Sequence, residues 1–134
     1  MADYTLLNLR SDVEDQAPKF GMGDGIEARF GRKPLGLEKS GMSYQRLAPG
    51  FRVPFGHRQR QQEEFYVCVS GGGKAKLDDD IIEVRQWDVI RVPPEVMRAF
   101  EAGPDGAELI AVGAPNTGAD ATTDGEMTPG WWSD

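Results

Sequence analysis

The chain has one histidine, His57, and one cysteine, Cys68, among 134 residues. A single histidine excludes a metal centre built on several imidazoles of one chain, and a single cysteine excludes an internal disulfide. The unpaired thiol suits a reducing compartment, and within the apolar run "EFYVCVS", with no basic neighbour, it reads as a small buried hydrophobe. Long apolar runs are also missing. None approaches the roughly 20 residues that cross a bilayer, and the opening "MADYTLLNLRSDVED" has neither the basic region nor the apolar stretch of a secretory signal. The expectation is a soluble cytoplasmic protein with no membrane partner. Basic residues number 15 against 22 acidic ones, a net charge of -7, so a polyphosphate backbone would be repelled and nucleic acid is not an expected partner. Phosphate and calcium loops are absent too. "SGGGK" lacks the spacing that cradles a phosphate and reads as a hairpin turn; "GMGDG" follows no clear strand; the aspartates at 78–80 belong to no spaced ligand set.

What is present is punctuation. Seventeen glycines and nine prolines are scattered through the chain and cut its apolar residues into short runs. Between Ser43 and Ala114 these runs are "SYQRL", "FRVPF", "EFYVCVS", "KAKL", "IIEVR", "DVIRV", "RAFE" and "LIAVGA", separated by "APG", "SGGG", "DDD", "PPE" and "GPDG". Each separator supplies turn dihedrals or removes a ladder donor. Some eight strands in a chain of one-domain length suggest an all-β jelly roll or a related barrel. Residues 1–40 are expected to form an arm belonging to the same domain, with an edge strand at 4–9 and one helical turn at 12–16. The barrel is expected over 41–115. The tail, 116–134, is expected to pack on the barrel or on a partner, because Trp131 and Trp132 are costly to leave in water.

Two stretches have a recognisable spacing. Gly50 is followed by six residues and His57, then by Gln59, by Glu64 and by Gly71; after 15 further residues come Trp87, Pro93, Glu95, Arg98 and Ala102. This pattern resembles the two motifs of the cupin superfamily, and in particular its small single-domain bacterial members. The resemblance implies a cupin-type jelly-roll β-barrel. It also implies where a divalent metal would sit, since cupins bind iron, manganese, zinc or nickel through two histidines and a glutamate of the first motif and a histidine of the second. Carried over, those positions hold His57, Gln59, Glu64 and Arg98.

Residues two apart on a strand face the same way, so His57 and Gln59 are expected to point into the barrel together, with Arg58 and Arg60 outside. The expected pocket is His57, Gln59, Glu64 and Arg98, walled by Tyr66 and Phe100. A divalent ion beside the permanently charged Arg98 at ~4 Å would be repelled by about 8 kcal/mol at an effective dielectric near 20. The expectation is therefore no metal and no other cofactor, with Arg98 gripping Glu64 bidentately. If a metal were present, His57, Gln59 and Glu64 would hold it. Three roles stay open: a binding module for a polar or anionic small molecule; an enzyme, either a degenerate metal-dependent isomerase or dioxygenase using His57 and Glu64 or a metal-free acid–base catalyst using His57; and a homodimer built by arm and tail.

Overall fold

Alternating apolar and polar side chains build eight strands in the computed structural model, which describes residues 1–116 and 124–134. They are β1 (Ile26–Phe30), β2 (Gly41–Leu47), β3 (Phe55–Gln59), β4 (Glu63–Leu77), β5 (Asp80–Arg85), β6 (Val89–Val92), β7 (Arg98–Ala114) and β8 (Gly125–Pro129). The described helical elements include two 3-10 turns, Ala17–Phe20 and Gly23–Gly25, and one α-turn, Arg32–Leu35. All strand pairs are antiparallel.

The two longest strands, β4 and β7, pair along nearly their whole length and curl one hydrogen-bonded network over on itself. The first half of β4 and the second half of β7 lie in a layer ordered β1-β2-β7-β4-β6; the other halves lie in a layer ordered β5-β4-β7-β3-β8. This is an all-β jelly roll. Inward side chains fill the space between the layers. At one end Leu47, Cys68, Val84, Ala107 and Leu109 close it, with a void of only about 10 Å³ among them. At the other end the layers stay apart.

Several local expectations need correction. "SGGG" is not a hairpin turn: Gly71 and Gly73 lie inside β4, where register shifts between Cys68 and Ser70 and between Gly71 and Gly73 bend the strand from one layer to the other. At that crossing a Cβ on Gly73 would lie 2.0 Å from the Glu101 carbonyl oxygen, so only glycine lets β4 and β7 approach. Likewise "GPDG" lies within β7 and separates no strands. Of "FRVPF" only Phe55 belongs to a strand, although Val53 and Arg52 bond across to Phe100 and Glu101. No strand forms at residues 4–9 and no helical turn at 12–16; the edge strand of the N-terminal region is β1, and the 3-10 turn begins at Ala17.

The tail adds β8 alongside β3. Beyond it Trp132 is buried, with the Arg52 guanidinium 4.5 Å above its ring, and Lys76 stands 4.4 Å above Trp131. A Cβ on Gly56 would meet the Trp131 ring at 2.5 Å, so that indole lies directly on β3. Both tryptophans thus pack on their own barrel.

Candidate functional site

The open end of the barrel is a cavity of about 730 Å³. Register explains how its polar group assembles. In β3, His57 pairs with Arg98 at the start of β7 on one side and with Met127 of β8 on the other. Gln59 follows His57 inward by strand alternation, while Arg58 turns outward to Glu126 at 2.9 Å. In β4, Glu64, Tyr66 and Cys68 share the inward face, and in β7 Arg98 and Phe100 do. All six residues expected to form the pocket, His57, Gln59, Glu64, Tyr66, Arg98 and Phe100, line this one cavity.

Contacts converge on one carboxylate oxygen. Glu64 Oε1 accepts the Tyr66 hydroxyl at 2.8 Å, lies 3.5 Å from His57 Nε2 and 3.7 Å from Arg98 Nη1. Burial alone would raise the Glu64 pKa, but the hydrogen bond and charge of His57, the Tyr66 hydroxyl and the Arg98 charge together bring it below the ordinary 4.5. Tyr66 moves the other way: burial and then the Glu64 charge hold its hydroxyl well above 10.0. Glu64 is therefore an anion and Tyr66 a neutral donor across the neutral pH range.

Arg98 does not grip Glu64 with two parallel bonds. Its Nη2 donates to the Pro93 carbonyl at 2.9 Å, and this turns only Nη1 toward Glu64. The side chain is 0% exposed, yet Nε and Nη1 have no hydrogen-bond partner, and neither does the buried Gln59 Oε1. Apolar groups make up much of the remaining wall, among them Phe20, Met22, Val53, Phe55 and Met127. The rings of Tyr66 and Phe100 lie 4.8 Å apart, tilted by 51°.

Sequence reasoning missed the mouth. Ser43 and Gln45 of β2 line the cavity, and polar residues at alternate positions of an apolar strand could have signalled it. Arg32, Lys33 and the aromatic Phe20 reach the cavity from turns whose placement no sequence period encodes.

The donor set does not fit the divalent ion of the resemblance. It offers one imidazole, one amide and one carboxylate whose contacted oxygen already faces a guanidinium. Among the described residues no three His, Cys, Asp or Glu side chains come together as a metal cluster.

No protein-family model and no curated protein matches the chain. Solved structures do. A cupin protein from Bacteroides fragilis is 23% identical with a TM-score of 0.70, over 90% of this chain and 91% of that one. A Streptomyces protein, PAC13, solved as a histidine-to-glutamine variant with uridine, is 18% identical with a TM-score of 0.68, over 96% and 91%. Oxalate decarboxylase from Bacillus subtilis is 19% identical with a TM-score of 0.70, over 91% of this chain but 33% of its own length. At these identities the likeness concerns the fold.

Proposed function

Because the chain is built on the cupin fold, we propose that it binds a small polar molecule in the open end of its barrel, without a metal. The observation that carries this reading is the guanidinium of Arg98, fully buried beside Glu64 at the polar end of a 730 Å³ cavity. That volume is in the range of small-molecule sites, and the mix of apolar walls with a few convergent polar groups is typical of them. Similar folds include an oxalate decarboxylase and a protein solved with uridine, so the fold tolerates ligands of different charge. We take the protein to be cytoplasmic, in keeping with its single buried cysteine. Mass spectrometry of the small molecules released from protein purified without chelator, combined with elemental analysis, tests the proposal. A released compound and substoichiometric metal are expected; stoichiometric metal lost in His57→Ala overturns it.

A second reading, metal-free acid–base catalysis by His57, is favoured by the 3.5 Å approach of its Nε2 to Glu64, which can orient the ring. Turnover abolished in His57→Ala with the fold intact would support it.

Self-association is also proposed. Phe65, Val67, Val89, Ile110 and Val112 share the outward face of the first layer by register, and Phe65 and Val89 are exposed. The arm leaves Tyr4 79% and Leu6 88% exposed. A second copy could cover both, and light scattering of the full chain against one lacking residues 1–7 tests it: a dimer that becomes a monomer is expected.

A further inference from the structure

The cavity touches its two central charges unequally. Arg98 is 0% exposed and Glu64 is 13% exposed, so the cation lies behind the carboxylate and the carboxylate meets the ligand space. One end of the guanidinium is already committed to the Pro93 carbonyl. Its Nε and Nη1 lack hydrogen-bond partners, and so does Gln59 Oε1, an acceptor. Around the rest of the wall, Asp12, Glu14 and Asp124 stand against Arg32 and Lys33; with Glu64 and Arg98 the described lining holds four carboxylates and three cations. An anion entering this space meets Glu64 before it meets Arg98. A hydrogen-bond donor meets a charged acceptor and a buried amide oxygen that costs free energy while unpaired.

We infer that the ligand is a neutral ring compound bearing adjacent hydroxyl groups, of the kind a sugar or nucleoside presents, and not an anion. Its hydroxyls donate to Glu64 and Gln59. Its less polar ring face lies against the apolar wall that includes Phe20, Phe55 and Met127, contact area that a small charged acid would not use. Tyr66 cannot donate to the ligand without releasing Glu64, because its hydroxyl already donates to that carboxylate at 2.8 Å. The ligand's hydroxyls therefore act both ways, donating to Glu64 and Gln59 and accepting from the unpaired Nε and Nη1 of Arg98.

The inference rests on the binding reading above, and one titration series separates the two. Isothermal titration is run with matched pairs that differ in charge: glucose and glucuronate, galactose and galacturonate, uridine and uridine 5′-monophosphate. The neutral member of at least one pair is expected to bind about tenfold or more tighter than its anionic partner. Glu64→Gln, nearly isosteric, is expected to weaken the neutral ligand by about tenfold and to narrow the gap between the pair. Gln59→Met, with the fold checked by circular dichroism, should weaken the neutral ligand as well. Tighter binding of an anionic member overturns the inference and leaves the binding reading standing. Binding of no member of any pair overturns both.

Discussion

Glu64 and Arg98 depend on each other more than either depends on solvent. Glu64 keeps His57 and Tyr66 as partners if Arg98 is removed, but loses the buried cation that balances its charge. Arg98→Met is therefore expected to cost about 2–3 kcal/mol in urea denaturation, and the double variant Glu64→Gln/Arg98→Met to recover most of it, since no buried charge is then left alone. The pH dependence has its origin in the same carboxylate. Its folded pKa lies below the ordinary 4.5, so as pH falls the unfolded chain takes up the proton first. The stabilisation is complete above about 4.5 and is lost as pH drops through the lower folded value. Denaturation midpoints should show the wild type's advantage over Glu64→Gln shrinking below that point. At this scale the sequence is informative: motif spacing brings His57, Gln59, Glu64 and Arg98 together. It does not reveal that the Pro93 carbonyl takes Nη2 of Arg98, because a backbone acceptor one turn away leaves no trace in side-chain spacing.

Among the elements, glycine carries two opposite messages. A glycine run between apolar stretches signals a hairpin, but it equally permits two strands to touch at a bend, and here the second meaning holds at Gly71 and Gly73. Gly73→Ala would force β4 and β7 apart at the Glu101 carbonyl and is expected to cost at least about 2 kcal/mol, measured by thermal or chemical unfolding. The reverse case is Trp87, which occupies the position where the cupin pattern has a glycine. Its φ is 74°, in the left-handed region, and it is 68% exposed, so it gains little packing to offset that backbone conformation. Trp87→Gly is expected to stabilise the protein by about 0.5–1 kcal/mol, read as a raised denaturation midpoint with unchanged slope. β1 and β8 are not legible in the sequence because both are short edge strands whose pairing is decided by distant partners, β2 and β3.

Across the whole molecule the cavity's two walls are held with different firmness. β2 in the first layer is clamped between β1 and β7 over seven residue pairs with the latter. β3 in the second layer meets β7 in one registered pair, His57 with Arg98, and meets β8 in five. The strand that presents His57 and Gln59 is thus secured largely by the chain's last strand. β8 is held in turn by the two tryptophans beyond its C-terminal end. Arg52 stacks on Trp132, bonds Glu101 at 2.5 Å and reaches the Trp132 carbonyl at 3.2 Å, while Trp131 lies on Gly56. Trp132→Ala removes a buried indole and the stacking surface of Arg52, at an expected cost of about 3 kcal/mol. The loss should be local before it is global. Hydrogen–deuterium exchange is expected to speed up in residues 55–59 and 125–129, with β2 and the second half of β7 unchanged. A ligand bound to His57's wall of the cavity should restore much of that protection. Uniform acceleration across both layers would mean that the tail stabilises the barrel as a whole and does not specifically hold the strand that carries the site.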